Sequence, residues 1–364
     1  MAEKSKFETD EKIEDLSGPF DPNSIDVDIS TVNLGSLLEQ LEYEEIDLKP
    51  EFQRSSDVWS PKQKSRLIES ALLGLPLPSF YFSEDPNSGK LVIVDGLQRL
   101  CAFKDFWISK KLVLQGLQFL KYLEGKNRDD LDRNEVRRIK GLKVSINILR
   151  KSTPIDVKYV IFQRVNSAGV PLKPQEMRNA LYQGPATKLL RDLVQLSSFK
   201  NATDNKVSSL RMDDCDLVNR FLAFYIGDNY MGNLDTHMCN ALYKVNHMSD
   251  DEISDIYNAF DSSMNLCYVV FENKAFKRPN PNKKGRFLKL NKAIFETLSV
   301  SIAKLSKEQK NEIINKKALF AKKIFELFEK DEFINCVTSG TAKNEKVKYR
   351  YSQINNLIEE VLDD

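Results

Sequence analysis

The stretch LVIVDGLQRLCAFKDFW, residues 91–107, decides the fold of the first half of the chain. Its opening residues are an unbroken aliphatic run, which is typical of a buried strand. Asp95 and Gly96 follow at once and interrupt that run with a turn. A helix is predicted after the turn from four apolar side chains at helical spacing: Leu97, Leu100, Phe103 and Trp107. The sequence therefore predicts a strand, a sharp turn and a helix.

The segments around this stretch extend the pattern. The aromatic run SFYFSED (79–85) and the turn DPNSG (85–89) predict a hairpin with the strand that ends at Asp95. Further strands are predicted over 25–29 and 142–149, with a short extended piece at 46–48, and helices over 34–42 and from Pro61 to Gly74. After Pro154 nearly every segment has the spacing of an amphipathic helix. The fold class is therefore α+β, with a core followed by a mostly α-helical domain.

Charge and composition suggest where the domains begin and end. Residues 1–60 hold sixteen acidic and five basic residues, whereas the whole chain has a net charge of +1, so the remainder is basic. We expect a flexible acidic arm over 1–23, a core over 24–200, and a helical domain with basic loops over 201–364. A basic body is compatible with binding of nucleic acid.

The composition excludes several classes of protein and site. The 364 residues contain only two histidines, His237 and His247, and these do not form an HExxH zinc motif or supply the histidines of an HNH nuclease centre. The five cysteines are scattered without a CxxC motif, which indicates reduced, buried thiols. The N-terminus has no apolar signal segment, and no apolar run is long enough to span a membrane. We expect a cytoplasmic protein that does not associate with membranes.

Three Gln-Arg pairs stand beside apolar segments: Gln53-Arg54, Gln98-Arg99 and Gln163-Arg164. A single pair of this kind is more often a solvated surface pair than a binding site. Three arginines that met in one pocket would need an anion to neutralise them, because uncompensated buried charge is costly. The pattern predicts a pocket for a polyanion.

The turn at Asp95 and Gly96 is the most informative of these places. Glycine permits a sharp bend, and the first N–H groups of the following helix lack partners within the helix. Phosphate binds readily at such a helix start, and Arg99 would add a bidentate contact. Asp95 would hold a metal ion or a water beside the phosphate. The alternative is an ordinary Asp cap with a surface arginine.

A second candidate surface lies in KAFKRPNPNKKGRFLKLNK (274–292), which has eight Lys and Arg residues and no acidic one. Proline and glycine within it predict a loop that leads into a helix. Five of its cations are the predicted DNA contacts: Lys277, Arg278, Lys283, Lys284 and Arg286. The alternative is a solvated loop.

The order of these motifs resembles the N-terminal domain family of the GmrSD restriction system. It runs from Pro-x-Phe-Gln-Arg (50–54) and Gly-Leu-Pro-Leu-Pro (74–78) to Asp-Gly-x-Gln-Arg-Leu (95–100) and Phe-x-Arg-Val-Asn (162–166). The resemblance covers about residues 30–225, where RMDD and LVNRFLAFY (211–225) are similar to the family's helical extension. It implies a ParB/sulfiredoxin-like fold for the core.

The resemblance also implies the activity and the residues that support it. The family binds and hydrolyses nucleoside triphosphates, with Mg²⁺ or Mn²⁺, and commonly serves in bacterial defence against phage DNA. Carried over, Asp95, Gly96, Gln98 and Arg99 form the nucleotide motif, with Asp95, Gln98 and Arg99 catalytic and Asp95 the metal ligand. The resemblance assigns four further residues to the phosphate pocket: Gln53, Arg54, Arg164 and Asn166.

Two departures from the family pattern leave other functions open. Leu97 stands where the family has a first glutamine, and the chain lacks the histidines for the HNH nuclease that many members carry. We therefore expect an NTPase that acts on DNA with a nuclease partner subunit. The alternatives are a non-catalytic module that binds DNA or nucleotide, and a metal-dependent nuclease that uses Asp95. A homo-oligomer is also left open.

Overall fold

The computed structural model describes residue 7 and residues 25–48, 59–85, 88–165 and 173–364. The chain divides into two compact units. One comprises Gly18–Lys173, and the other comprises Met1–Ser17 together with Pro174–Asp364. The first is called the sheet unit below and the second the helical unit.

The sheet unit is built on a mixed five-stranded sheet with the order β1, β5, β3, β4, β2. The strands are β1 (Val27–Asn33), β2 (Ile46–Asp47), β3 (Phe80–Glu84), β4 (Leu91–Asp95) and β5 (Lys143–Leu149). β1 is antiparallel to β5 and β3 is antiparallel to β4, whereas β3 and β5 are parallel and so are β2 and β4. The predicted hairpin of residues 79–95 is confirmed by the antiparallel pairing of β3 with β4.

Within the described residues, five helices accompany the sheet: α1 (Leu34–Glu42), α2 (Pro61–Leu72), α3 (Leu97–Phe103), α4 (Arg133–Gly141) and α5 (Ile155–Val165). A π-helical turn, Lys104–Ile108, continues α3 directly. Three-residue 3₁₀ turns lie at Lys121–Leu123 and Arg128–Asp130. The predicted helix after the Asp95 turn is therefore present, with a change of helix type after Phe103.

Local sequence explains where the helices begin and which face they bury. The buried face of α1 consists of leucines at helical spacing: Leu34, Leu37, Leu38 and Leu41. Ser60 caps α2 through a capping box with Gln63, and Pro61 occupies the first helical position. These helices pack their apolar faces into one core with the inner residues of β3 and β4, including Phe80, Phe82 and Ile93.

The helical unit contains eleven α-helices within the described residues: α6 (Pro174–Leu181), α7 (Pro185–Gln195), α8 (Ser197–Ala202), α9 (Asp213–Ile226), α10 (Leu234–Val245), α11 (Asp250–Phe271), α12 (Lys292–Ala303), α13 (Lys307–Asn315), α14 (Lys317–Leu327), α15 (Asp331–Thr338) and α16 (Asn344–Asp363). α12 packs against both α9 and α11 and lies at its centre. A mixed sheet with a largely helical remainder confirms the predicted α+β class. The ParB/sulfiredoxin-like architecture remains a prediction.

The observed division of the chain differs from the predicted one. The units divide after Lys173, whereas the sequence placed the boundary at residue 200. The reason is that α7 packs against α9, α10 and α11, which ties the segment after Pro174 to the helical unit. Of the predicted arm over 1–23, only Phe7 is described, and it is buried beside Leu290, with which it forms a parallel β-bridge.

The state of the cysteines and the character of the helices both bear on expectations drawn from composition. All five cysteines lie in the described part of the chain, and each is a buried free thiol, as predicted. Burial raises the pKa of the Cys239 thiol to about 11, which keeps it protonated and unreactive. Among the described helices, none combines the length and the apolar character needed to cross a lipid bilayer.

Candidate functional site

The turn at Gly96 joins β4 to α3 and can only be made by glycine. Gly96 has φ 103° and ψ 8°, in the left-handed region that favours glycine. A Cβ added there would lie 2.5 Å from a ring carbon of Phe80. The Leu100 N–H donates to the Gly96 carbonyl at 2.9 Å, so the helix begins directly after the turn. Gly96 thus allows the end of β4 and the start of α3 to pack on β3.

Arg99 turns inward from the first turn of α3. Its side chain is only 10% exposed, and its Nη2 donates to Asp95 Oδ2 at 2.8 Å and to the Ser79 carbonyl at 3.2 Å. Its Nη1 donates to the Pro78 carbonyl, and the guanidinium lies 4.6 Å from the centre of the Phe80 ring. Arg99 therefore holds the end of the Gly-Leu-Pro-Leu-Pro segment against the Asp95 turn.

The pKa values of this pair follow from burial. Burial raises the pKa of Asp95, and the opposing effects of the Arg99 charge and the Gly96 N–H are smaller. Burial likewise lowers the pKa of Arg99, against the opposing effect of Asp95. The Arg99 guanidinium stays charged regardless, because its ordinary pKa lies far above neutrality. Asp95 and Arg99 form a half-buried ion pair at the edge of the sheet.

The described residues do not form a cluster of ligands for a divalent metal ion. They contain no group of three or more His, Cys, Asp or Glu side chains that could hold one. Asp95 offers a single carboxylate, one oxygen of which already accepts a hydrogen bond from Arg99. This donor set does not fit a resident Mg²⁺ or Mn²⁺ ion, which prefers several oxygen ligands. Metal binding by Asp95 stays a prediction from the resemblance.

The remaining residues of the predicted phosphate pocket are only partly described. Gln98 is half-buried in the first turn of α3, and Arg164 is exposed in the last turn of α5. Gln53, Arg54 and Asn166 lie outside the described residues. The structure thus brings together Asp95, Gly96 and Arg99, whereas the predicted meeting of three arginines stays a prediction. Leu97 packs against the core, so it has a structural role of its own.

The basic segment folds as a short hairpin, called the basic hairpin below (residues 278–288). Pro279 and Phe287 form an antiparallel bridge, and the Asn280 N–H donates to the Arg286 carbonyl at 2.8 Å. The left-handed turn at Gly285 (φ 76°) closes the tip. The cations at and beside this tip are exposed: Lys283, Lys284 and Arg286.

The two cations at the start of the segment have different surroundings. Arg278 is half-buried, and Lys277 Nζ lies 3.1 Å from Asp204 Oδ2. A hydrogen bond from Lys206 is the largest influence on Asp204, and with those from Lys277 and Asn273 it outweighs burial and lowers the pKa of Asp204 to about 2. Lys277 is therefore already paired within the protein.

A buried network of charges in the helical unit was not predicted from the sequence. Arg178, 2% exposed, contacts Asp216 at 3.3 Å and also pairs with Asp235. Lys292 contacts the other oxygen of Asp216 at 2.7 Å. Burial alone would raise the pKa of Asp216, but Lys292, Arg178 and Arg220 lower it well below its usual range.

Glu296 is the centre of the second half of this network. It is fully buried, and it accepts hydrogen bonds from Arg220 at 2.8 Å and from Arg350. Arg350 Nε also donates to Thr297 Oγ1 at 3.0 Å. The LVNR run carries Arg220 of this network, but its partner Glu296 lies 76 residues later in the sequence. Spacing alone could therefore not reveal the pairing.

Comparison with protein families identifies the segment that carries the Asp95 turn. Residues 34–183 match the family model of the GmrSD restriction endonuclease, N-terminal domain. This segment is a GmrSD N-terminal domain. The resemblance predicted from the motifs is thereby confirmed for these residues, and its extension to residue 225 stays a prediction. The domain spans the described strands and helices from α1 to α6 and ends before α7.

No curated protein and no solved structure matched the chain. The GmrSD N-terminal domain contains the Asp95 turn together with Gln53, Arg54, Arg164 and Asn166. The basic hairpin and most of the buried charge network lie beyond the end of the domain match.

Proposed function

We propose that this protein is the nucleotide-binding and NTP-hydrolysing component of a restriction-type defence system that acts on DNA. The observation that carries the proposal is the Asp95–Gly96–Arg99 turn within a GmrSD N-terminal domain. The family's description as a restriction endonuclease supports DNA as the target. The basic hairpin supports it from the helical unit, and we expect a nuclease partner subunit to cut the DNA.

The topology of the sheet unit supports a shared pocket. β2 and β4 are parallel, and Asp47 at the end of β2 pairs with Val92, so β2 points toward the edge at which β4 ends with Asp95. α5 packs against β4, and Lys158 near its start donates to the Glu84 carbonyl at the opposite edge, at 3.3 Å. In this proposal Arg164, in the last turn of α5, completes the pocket at the Asp95 edge.

In this proposal the residues have distinct tasks. Arg54, Arg164 and the side chains of Gln53, Gln98 and Asn166 bind the phosphates, and Asp95 orients the attacking water. Arg99 fixes the turn and contributes positive charge beneath it. Stabilising charge on the transferred phosphoryl group is the main demand of such a reaction, which suits an arginine-rich pocket. A divalent ion would enter with the triphosphate, as part of the substrate.

A phosphate-release assay with each NTP and Mg²⁺ tests the proposal. Arg164→Ala is the sharpest variant, because Arg164 is exposed and its removal opens no core. We expect a tenfold to hundredfold loss of kcat/KM, since a hydrogen bond to a charged group contributes about 1.5–3 kcal/mol. Arg138→Ala, an exposed arginine on α4, is the matched control and should keep full activity.

Asp95→Asn completes the assay, because it retains the shape of the side chain and removes its charge. Wild-type release no faster than that of Asp95→Asn would overturn hydrolysis at this site. Nucleotide binding without phosphate release would favour the non-catalytic module. This is the main alternative, because Arg99 turns inward and contacts Asp95 and the Ser79 carbonyl. Plasmid cleavage by the chain alone with Mg²⁺, abolished in Asp95→Asn, would instead favour the metal-dependent nuclease.

A further inference from the structure

A cavity of about 280 Å³ lies beside the basic hairpin in the helical unit. It is called the hairpin pocket below. Its walls combine two aromatic side chains, Phe7 and Phe287, with three lysines: Lys206, Lys277 and Lys289. Leu288 adds an apolar surface between them. Ligand pockets begin at roughly 300 Å³, so the space suits a single small unit.

The hairpin pocket is built around an ordered charged corner. Asp204 and the next residue, Asn205, both have left-handed backbones, with φ of 61° and 48°. Such conformations are unfavourable for residues other than glycine and persist only where the surroundings impose them. The Asp204 carboxylate at this bend pairs with Lys206 and Lys277, which holds these two lysines at the rim. Two lysines share this one carboxylate, and the exposed Lys289 is a third cation on the pocket wall.

The position of Phe287 connects this pocket to the basic hairpin. Phe287 directly follows the exposed Arg286 and pairs through its backbone with Pro279, and its ring contacts Phe325 and Lys274 at the base of the hairpin. A strand of nucleic acid bound along the exposed cations would therefore pass beside an aromatic wall. Bases stack on aromatic side chains regardless of sequence, and lysines hold the adjoining phosphates.

We propose that the hairpin pocket receives one unpaired nucleotide of a DNA strand, with its base against Phe287 and its phosphate near Lys206 and Lys289. The inference rests on the proposed action on DNA and names the form of DNA that this surface selects. Paired DNA would bind only the cations of the basic hairpin, because its bases are stacked within the duplex. A strand with an unpaired base would bind within the pocket as well.

Fluorescence anisotropy with three labelled DNAs tests this inference: a single strand, the matched duplex, and the same duplex with one bulged nucleotide. Phe287→Leu keeps an apolar side chain but removes the ring, and Lys206→Ala removes an exposed cation. We expect each variant to weaken binding of the single strand and the bulged duplex about fivefold or more, because the first removes base stacking and the second removes a phosphate contact. Binding of the matched duplex should change less than twofold.

Two control variants separate binding in the hairpin pocket from DNA binding in general. Lys188→Ala, an exposed lysine on α7, should leave all three affinities unchanged, and Lys284→Ala at the hairpin tip should weaken all three together. Pocket variants that affect the three DNAs equally, or none of them, would overturn the hairpin pocket while leaving DNA binding intact. Failure of the wild type to bind any DNA at low salt would instead overturn the DNA-directed part of the proposed function. Thermal unfolding of each variant confirms that it is folded.

Discussion

At the scale of single residues, Gly96 combines two demands that can be separated. It has a left-handed backbone, and a Cβ there would collide with Phe80. Gly89 is also left-handed, at φ 69°, but a Cβ there would meet nothing within 4 Å. Gly89→Ala should cost about 1 kcal/mol for the backbone alone. Gly96→Ala should cost a further 1–3 kcal/mol or so from overpacking.

Urea unfolding of both alanine variants measures this difference. Equal decreases in stability would show that the Phe80 side chain relaxes without cost, and would contradict the tight packing inferred for the turn.

Asp95 and Gly96 could be predicted as a turn because a strand, a glycine and a helix follow one another in sequence. The direction of Arg99 could not, because it depends on carbonyl groups of Pro78 and Ser79, about 20 residues earlier.

Glu69 is a second residue whose role depends on distant backbone. It is 3% exposed, and its carboxylate accepts hydrogen bonds from the N–H groups of Gln118, Phe119 and Leu120 at 2.7–3.0 Å. Burial raises the pKa of Glu69, but these N–H groups and Lys121 outweigh it, so the pKa is lowered from 4.5. The carboxylate therefore stabilises the loop only while it is ionised.

Glu69→Gln should lower the free energy of unfolding at pH 7 by roughly 1.5–3 kcal/mol, the range for hydrogen bonds to a charged group. Because the folded pKa is depressed, the contribution is complete above 4.5 and disappears as the pH falls through the folded value. The gap between wild type and variant should thus shrink below that pH. Urea titrations from pH 7 to pH 3 test this, with the exposed Glu39→Gln as a control that should change stability little. A gap that widens in acid would contradict the assignment.

At the scale of elements, the basic hairpin gives a quantitative expectation for DNA binding. Each lysine that neutralises a phosphate of duplex DNA should add about 0.9 to the magnitude of the slope of log K against log salt. The double variant Lys283→Ala, Lys284→Ala should therefore lower that magnitude by about 1–2. Titrations at several salt concentrations measure it, with Lys188→Ala, Lys322→Ala as the matched control from exposed helical positions. An unchanged slope would mean that the hairpin tip does not meet the backbone of DNA.

The helices and the basic hairpin also show which elements can be predicted from local sequence patterns. α1 and α2 were predictable because leucine spacing and a Ser60 cap lie within the helices themselves. α4 was missed because Arg133–Gly141 is mostly charged, although Asp132 and Glu135 form a capping box that marks its start. The basic segment was expected to be a loop, since its single bridge between Pro279 and Phe287 is hidden by the prolines. Periodicity finds amphipathic elements and overlooks those held by caps or by one cross-chain bridge.

At the scale of the whole molecule, the helical unit contains buried ion pairs that local sequence patterns do not predict. Arg220 and Glu296 lie 76 residues apart, and Arg350 and Glu296 lie 54 apart. These side chains lie on the buried faces of their helices, where charged residues are normally absent unless paired. Which residues pair is decided by the packing of α9, α12 and α16, and a single sequence does not specify that packing.

Glu296→Gln is the most direct test of this organisation. It leaves the Arg220 and Arg350 guanidiniums buried without their carboxylate, and breaking a buried pair in this way costs about 3–5 kcal/mol. The exposed pair of Lys323 and Glu360, at 3.2 Å, provides the control, since Glu360→Gln should cost at most about 1 kcal/mol.

The two tryptophans, Trp59 and Trp107, both lie in the sheet unit, whereas most helices lie in the helical unit. Far-UV circular dichroism and tryptophan fluorescence therefore report different parts of one urea titration. We expect Glu296→Gln to lower the urea concentration at the midpoint of the circular dichroism transition. A shift seen only in the tryptophan fluorescence would contradict the role assigned to Glu296.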